Sequence, residues 1–542
     1  MLPMSSPFAS KLGTNYCPTD TDIIEIKSLL VEPLSRLAHI DSRIADLQET
    51  IDKLTEERTA LGTYVDAHKA LLSPVRRIPL DILQEIFVAC LPTHQNCAMT
   101  ASEPPILLGR VCSAWRTLSF LNPRLWTRLH IAEPQIPADT SLHAIREQKY
   151  TQRVEVTTSW LKRSGKYPLS ISVFGSANHF AVSPEFSGQI LRALIPFASQ
   201  WRNITIGGVT TTVLEALASV TAEDVPVLQA VNLYSIYESQ QQTNTQWDAF
   251  GLLNAPSLSC FSFLGACRDL LTFPLQWARI TRLYIASQGW NPHGPPLTSH
   301  RAVEILSLCL HLRIFHLLVD DRVPSPDDLP RQTILELPCL LELGISSLGK
   351  PVNRTGGLFS YVALPELRFL GMQPTLYPPT DDDEVQITYF PLLATSPRLE
   401  TLEIDTGLFN TESFAELLRT LPPAIRQLEF TGHGDLAGLN DEVLAALTPS
   451  SGRSFSCPNL QELQITNCDL SAQAILDFIK ARMAAEPTTL RQVKIHLVRK
   501  MEQDIRPDIQ PFLDAGLELD ITHPSPPSWS ASPWLGLSDL VG

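Results

Sequence analysis

The chain has few charged residues, and basic residues are the scarcer kind. Only 18% of its 542 residues are charged, and 42 Lys and Arg stand against 57 Asp and Glu, which gives a net charge of −15. General binding to nucleic acids or anionic membranes needs clustered basic side chains, so this balance argues against both. The hydrophobic content of 44% indicates a well-packed globular protein instead of a disordered one.

Long apolar runs are also missing from the sequence. No run approaches the roughly 18 residues that a membrane span requires, and residues 1–16 lack the charged start and apolar segment of a signal peptide. The ten cysteines form no CxxC pair, and Cys309 lies inside an apolar run. Free, buried thiols are typical of a reducing compartment. We therefore expect a cytoplasmic or nuclear protein.

Familiar catalytic and metal-binding patterns are absent as well. The sequence contains no GxxxxGK[ST] phosphate loop, no GxSxG and no HExxH. Four residues could be imagined as zinc ligands: Cys90, His94, Cys97 and Cys112. Their spacing matches no known finger, and Cys90 and Cys112 lie in apolar helical stretches, which favours burial. The acidic run 381–384 lacks the alternate spacing of a calcium loop. We expect no enzyme activity, no cofactor and no metal.

The first part of the chain combines a polar start with a long helix. Residues 1–21 are rich in Ser, Pro and Thr, which predicts a disordered N-terminus. Residues 22–72 are predicted to form a coiled-coil helix, with Pro33 ending or kinking it so that the regular part covers about 34–72. Its apolar residues recur at steps of three and four: Leu37, Ile40, Ile44, Leu47, Ile51, Leu54, Leu61 and Val65. This helix could form a homodimer or fold back on its own protein.

Two short helices are predicted within residues 74–127. The first begins at Pro79, whose missing N–H costs nothing in a first turn. Its apolar residues share one face: Leu80, Leu83, Ile86 and Phe87, with Ile82 adjacent. A second helix over about 106–119 has a similar face: Leu107, Val111, Trp115 and Leu118. Such a pair buries little surface by itself, so its remaining apolar face calls for a partner within or outside the chain.

Residues 128–521 repeat one pattern, in which three apolar residues are separated first by two residues and then by one. Eleven copies start about 22 to 35 residues apart. They are Trp201-Ile204-Ile206, Leu228-Val231-Leu233, Leu258-Phe261-Phe263, Ile280-Leu283-Ile285, Leu312-Phe315-Leu317, Leu340-Leu343-Ile345, Leu367-Leu370-Met372, Leu399-Leu402-Ile404, Ile425-Leu428-Phe430, Leu460-Leu463-Ile465 and Leu490-Val493-Ile495. Proline often stands two residues ahead, as Pro226 does, where no ladder donor is lost. We predict a strand and a helix in each unit, with neighbouring strands paired.

The predicted fold is therefore an α/β repeat. Its spacing and L-x-x-L-x-L core resemble leucine-rich repeats of an irregular kind, which would form a solenoid. The usual Asn or Cys downstream is mostly absent, although Asn467-Cys468 matches it. The rival is a doubly wound α/β domain, which would show irregular spacing and a Gly-rich phosphate loop. The Pro-rich tail 522–542 is predicted to be disordered or to cap the last repeat.

Residues 78–126 resemble an F-box, particularly the version found in basidiomycete fungal F-box proteins. The family pattern is L-P-x-E-I-L-x-x-I-F, then V-C-x-x-W-R, then P-x-L-W. It is matched here by Ile78-Pro79, Asp81-Ile82-Leu83, Ile86-Phe87, Val111-Cys112, Trp115-Arg116, Pro123 and Leu125-Trp126. Ile78 in place of Leu and Asp81 in place of Glu are the departures. A coiled coil ahead of the box is also typical of those proteins, so the likeness is close over about fifty residues and loose over most of the chain.

The resemblance implies the substrate-recognition subunit of an SCF (Skp, cullin, F-box) ubiquitin ligase. The F-box would dock on a Skp-type adaptor and, through it, on the cullin and RING subunits, while the repeats would hold a target protein. The residues expected to contact the adaptor or form the core of the box are Pro79, Leu80, Ile82, Leu83, Ile86, Phe87, Leu107, Val111 and Trp115. Three alternatives are a repeat scaffold without ubiquitin transfer, an enzyme on an α/β fold, and an F-box that serves another assembly.

Overall fold

A computed structural model describes most of the chain, in two compact units, Met1–Ile86 and Phe87–Gly542. The described residues are 6–134, 143–175, 184–237, 246–265, 267, 269–287, 297–319, 334–348, 358, 361–375, 390–406, 411–432, 439–449, 456–485, 488–499, 501 and 503–523. Most of the predicted tail, 524–542, lies outside them.

The first unit is dominated by one long helix, α1, which spans Asp20–Leu71. A capping box starts this helix, because the Thr19 side chain accepts from the backbone N–H of Asp22 and the Asp22 carboxylate accepts from the backbone N–H of Thr19 at 2.9 Å. The hydrogen bonds that the Asp22 carboxylate accepts from the Thr19 backbone, the Thr19 hydroxyl and the Tyr16 hydroxyl lower its pKa to about 2. The helix does not end at Pro33, because a proline removes one hydrogen bond and the long flanking segments keep theirs. Of the described residues ahead of the helix, 7–13 form turns, whereas 15–19 have no regular secondary structure.

Helix α2 spans Leu80–Ala89, close to the prediction. The single helix predicted over 106–119 is instead two helices, α3 (Leu108–Val111) and α4 (Ser113–Leu121). Cys112 separates them with an extended backbone, φ −158° and ψ 172°, and its Sγ accepts from the backbone N–H of Trp115 at 3.5 Å as the cap of α4. The prediction of one continuous helix was therefore wrong, and its residues do not share one continuous helical face.

Within its described residues, the second unit contains a parallel sheet of fourteen strands and, separately, a pair of two-residue strands, β8 and β10. In chain order the strands are β1 (Arg128–Ala132), β2 (Leu169–Phe174), β3 (Trp201–Thr210), β4 (Ala230–Tyr237), β5 (Cys260–Gly265), β6 (Arg282–Ser287), β7 (Ile314–Val319), β8 (Leu335–Glu336), β9 (Glu342–Leu348), β10 (Val362–Ala363), β11 (Phe369–Thr375), β12 (Thr401–Asp405), β13 (Gln427–Thr431), β14 (Glu462–Cys468), β15 (Gln492–Leu497) and β16 (Glu518–Thr522). The large sheet follows chain order without a reversal. A doubly wound sheet reverses its order at a switch point, so this arrangement differs from that rival.

The repeated triplets account for most of the strands. The last two apolar residues of each triplet lie on a strand, and the first lies on it or just before it. On β12, for example, Leu402 and Ile404 are buried, and Leu402 pairs with Leu370 and Leu428 of the neighbouring strands. Burial of alternate residues gives the sheet one apolar side and one solvent side. The predicted α/β fold with one parallel strand per copy is confirmed, and β1, β2 and β16 extend the sheet beyond the predicted copies.

The connections between strands are helical in most places. The remaining helices are α5 (His143–Arg163), α6 (Pro184–Leu194), α7 (Thr211–Leu214), α8 (Ser299–Leu308), α9 (Phe390–Thr395), α10 (Thr411–Thr420), α11 (Asp441–Leu447), α12 (Ala472–Met483) and α13 (Arg506–Asp514). Between β4 and β5 the described residues form two 3-10 turns, Trp247–Ala249 and Gly251–Asn254. Between β5 and β6 they again form two 3-10 turns, Leu270–Thr272 and Trp277–Arg279. The expectation of a helix in each unit was wrong there, because the connection is short and Pro274 interrupts it.

Candidate functional site

The predicted docking residues on α2 divide into a buried and an exposed set. Leu83 and Phe87, one turn apart, keep only 6% and 0% of their surface exposed. Leu80, Ile82 and Ile86 remain 67%, 50% and 41% exposed. Pro79 is also exposed, and its carbonyl accepts from the backbone N–H of Leu83 at 2.9 Å. The helix therefore presents an apolar face to solvent in addition to the one that it buries.

The predicted residues on the second segment divide in the same way. Leu107 and Val111 are 40% and 58% exposed, whereas Trp115 is half-buried. The Trp115 ring lies against Phe87, with 4.7 Å between the ring centroids. Of the predicted residues in the second unit, the structure brings Phe87 and Trp115 together and leaves Leu107 and Val111 at the surface.

Hydrogen bonds from side chains to backbone carbonyls hold α3, α4 and the turn that follows them together. Arg116 Nε donates to the carbonyl of Gly109 at 2.8 Å. Gly109 is suited to this approach because a Cβ at that position would lie 3.3 Å from Ser119 Oγ. Trp126 Nε1 donates to the carbonyl of Ser119 at 2.8 Å, and the Trp126 ring meets the edge of Trp160 on α5 at 4.8 Å. The segment that bears these exposed side chains is therefore itself well packed.

The loop ahead of α3 is joined to the first strand of the sheet. Arg128 on β1 donates to the carbonyls of Pro92 and Gln95 at 2.5 and 2.6 Å. The backbone N–H of His130 donates to the carbonyl of Cys97 at 2.8 Å, so the loop continues the sheet beyond β1. Since this pairing occupies donors of the sheet edge, the segment from 92 to 126 is anchored to the repeat region.

A second feature lies on the solvent side of the sheet. Cross-strand partners run Tyr284, His316, Gly344, Gly371 and Glu403 across β6, β7, β9, β11 and β12. The two glycines leave a depression in this row. The resulting pocket has a volume of about 650 Å³, and we call it the glycine pocket.

Aromatic rings lie across the space that the two glycines leave open. A Cβ on Gly344 would stand 2.5 Å from His316 Nδ1, and a Cβ on Gly371 would stand 3.1 Å from the Phe369 ring. His316 Nε2 is 2.6 Å from Glu342 Oε1. The ring centroids of Tyr284 and His316 are 5.0 Å apart. The pocket is therefore aromatic on two sides and depends on glycine at both positions.

Glu403 supplies a carboxylate at the border of the glycine pocket. Burial raises its pKa, and the charges of Glu429 and Glu342 raise it further, while His316 acts in the opposite direction. Within the described residues, Glu403 has no hydrogen-bond or ion-pair partner. Sequence reasoning missed this pocket. The available signal was a glycine at the same position of two consecutive copies, Leu343-Gly344-Ile345 and Leu370-Gly371-Met372.

The cysteines considered as zinc ligands do not form a common site. Cys97 is buried, and that burial raises the pKa of its thiol. Cys90 and Cys112 are exposed, so the prediction that apolar neighbours bury them was wrong, because each lies at a helix end instead of on a core face. Among the described residues, no three His, Cys, Asp or Glu side chains are grouped to hold a metal ion. The acidic run 381–384 lies outside the described residues.

No model of a protein family matches the chain, and no curated protein matches it either. Of the helices in the described ranges, none combines the length and the apolar character needed to cross a bilayer.

Proposed function

We propose that this chain is the substrate-recognition subunit of an SCF-type ubiquitin ligase. In this proposal, residues 74–127 dock a Skp-type adaptor, which connects the chain to the cullin and RING subunits. The repeats form a leucine-rich-repeat-like solenoid that holds a target protein. The chain itself performs no covalent chemistry. It raises the effective concentration of an acceptor lysine near the charged conjugating enzyme.

The exposure of the box residues is the observation that carries this proposal. The F-box-like pattern contains more apolar residues than a core of this size can bury, and the structure leaves five of them open to solvent. These are Leu80, Ile82, Ile86, Leu107 and Val111. Leu83 and Phe87 are buried instead, so we assign them to the core of the box and not to direct contact with the adaptor.

The order of the strands supports the repeat part of the proposal. Each strand of the fourteen-stranded sheet pairs with the next strand of that sheet in chain order, as Leu428 pairs with Leu463 and Leu463 with Val493. In repeat proteins each unit contacts its neighbours and leaves a continuous surface free for a partner. A non-catalytic repeat scaffold would use the same surface. Adaptor binding by residues 74–127 therefore distinguishes the two functions.

Recruitment of the ligase subunits tests the proposal. The full chain is mixed with a preformed complex of Skp-type adaptor, cullin and RING subunit, and co-elution is measured by size-exclusion chromatography. We expect co-elution of the unchanged chain, and its loss on changing Ile82→Asp or Val111→Asp, because a charge on an exposed apolar face opposes burial against a partner. Leu310→Asp, at an equally exposed apolar site in the repeats, is the control and should co-elute normally.

Failure of the unchanged chain to join the complex would overturn the ligase assignment and favour the scaffold. Normal co-elution of both box variants would show that these residues do not dock the adaptor. Circular dichroism of each variant verifies that it is folded.

A further inference from the structure

The glycine pocket places an aromatic ring beside a carboxylate that has no partner within the described residues. Glu403 Oε2 lies 3.8 Å from the position of a Cβ on Gly371, and the Phe369 ring lies 3.1 Å from the same position. The ring and the carboxylate therefore border one gap. Glu342 is engaged with His316, whereas no residue in the described ranges forms a hydrogen bond or ion pair with Glu403.

The charge around this gap is predominantly negative. Glu403 pairs across the sheet with Glu429 on one side and with Gly371 on the other. Glu429 accepts a hydrogen bond from the neutral amide of Gln464 at 2.8 Å, and this donor does not cancel the negative charge of Glu429. An apolar ligand would leave the Glu403 carboxylate without a partner, and an anionic ligand would be repelled. A cation with an apolar or planar body can pair with the carboxylate and also pack against the aromatic ring.

We propose that the glycine pocket binds a basic side chain of a protein target, with arginine as the preferred residue. A guanidinium group stacks on the Phe369 ring while its N–H groups donate to Glu403. Gly344 and Gly371 permit this arrangement, because a Cβ at either position would press on the His316 ring or the Phe369 ring that forms the pocket wall. The role of this ligand as a ubiquitination target rests on the proposed function, whereas the binding itself does not.

Ligand-observed NMR on the full chain tests this pocket. The probes are N-acetyl-arginine methylamide, the matched lysine derivative and the citrulline derivative, which keeps the shape of arginine without its charge. We expect the arginine probe to bind about tenfold more tightly than the citrulline probe, a factor equal to about 1.4 kcal/mol. The lysine probe should bind less tightly than arginine, because it lacks the planar fork.

Variants connect the binding to the pocket. Glu403→Gln removes the charge at constant size and should weaken arginine binding about tenfold. Glu462→Gln removes an exposed carboxylate on β14, outside the pocket, and should leave binding unchanged. Gly371→Ala should weaken binding, because its Cβ would stand 3.1 Å from the Phe369 ring and displace the ring on which the guanidinium stacks. Equal binding of arginine and citrulline, or full binding by Glu403→Gln, would overturn the proposal.

The failure of one proposal can be distinguished from failure of the other. Adaptor recruitment by Glu403→Gln should be unchanged, because this residue lies in the repeats. If the unchanged chain recruits the adaptor but does not bind arginine, the pocket assignment fails and the proposed function stands. If it binds arginine but does not recruit the adaptor, the ligase assignment fails and the pocket stands.

A separate observation concerns the helix α1, in which no residue is buried. Its apolar residues recur as a heptad whose a positions include Leu37, Ile44, Ile51 and Val65 and whose d positions are Ile40, Leu47, Leu54 and Leu61. Each of these side chains is between 43% and 59% exposed. β-branched residues at most a positions and Leu at most d positions favour a parallel coiled coil of two helices over one of three or four helices.

We infer that α1 pairs with α1 of a second copy of this chain in a parallel, in-register coiled coil. Arg58 is the one polar residue at an a position between Leu37 and Val65, and Glu57 occupies the preceding g position. In a parallel pair, Arg58 of one copy lies next to Glu57 of the other. Arg36 at g and Asp41 at the following e position form a second pair of opposite charges between copies. An antiparallel pair would separate these charges.

Sedimentation equilibrium of the full chain tests this dimer, with a mass of twice 60.1 kDa expected. Ile44→Asp with Ile51→Asp should give a monomer, whereas Thr59→Asp, outside the a and d positions, should remain dimeric. Arg58→Glu should weaken the dimer about tenfold, and adding Glu57→Arg should restore it. A monomeric unchanged chain would overturn the dimer, and failure of the second change to restore it would overturn the parallel register.

Discussion

Replacing Phe87 by Ala tests whether the apolar pattern residues of segment 74–127 form a core. The Phe87 side chain is fully buried, and its ring lies 4.7 Å from that of Trp115 at an angle of 59°. Removing a buried Phe side chain costs about 3–5 kcal/mol through lost burial and the cavity left behind. About 0.5–1.5 kcal/mol of this comes from the aromatic pair. Because Trp115 lies on α4, we expect the loss to fall on that helix.

Hydrogen–deuterium exchange read by mass spectrometry measures this local loss. A destabilisation of about 3 kcal/mol raises the open population, and with it the exchange of residues 113–121, about a hundredfold. Strands from β3 onward should keep their protection, since each unit of a repeat region contacts mainly its neighbours. Val111→Ala, at an exposed site, should change stability by no more than about 0.5 kcal/mol. Unchanged exchange in α4 would refute the role of Phe87 in the packing of that helix. Lost protection throughout the sheet would refute the expectation that the destabilisation stays near α4.

Two further predictions concern buried groups in the repeats. Arg482 donates to three backbone carbonyls at 2.7–2.9 Å, and burial lowers its pKa to about 10. Arg482→Met should therefore cost about 3 kcal/mol or more in urea unfolding by leaving these carbonyls unpaired, whereas exposed Lys480→Met should cost little; equal effects would contradict this. Burial raises the pKa of the Cys309 thiol to about 12, so it should resist iodoacetamide in the folded chain at mildly alkaline pH while exposed Cys90 and Cys112 react. Equal alkylation rates by mass spectrometry would contradict that assignment.

The strands could be predicted because each copy repeats the same buried side chains. Leu402 and Ile404 are both buried. They can face the core together because side chains two positions apart on a strand point to the same side of the sheet. β1, β2 and β16 were missed because the eleven copies did not include their apolar residues, such as Leu129 and Ile171. A repeat can be recognised from its interior copies, whereas its ends face different neighbours and depart from the pattern.

The helix boundaries and the burial of side chains in residues 74–127 depend on tertiary contacts, which could not be predicted from the sequence. Cys112 lies within an apolar segment that reads as one helix, and its extended backbone separates α3 from α4. The division between Leu83, which is buried, and Ile82, which is exposed, follows from packing and not from residue type. The glycine pocket likewise requires the register that places Gly344 beside Gly371, and strand register depends on the whole sheet.

Calorimetric titration of purified Skp-type adaptor into the full chain is the first measurement to make. We expect one adaptor to bind per chain. Val111→Asp should lose this binding while it unfolds at the same urea concentration as the unchanged chain. Absence of binding by the unchanged chain, or equal affinity in the folded variant, would contradict the assignment of residues 74–127 as the adaptor-docking segment.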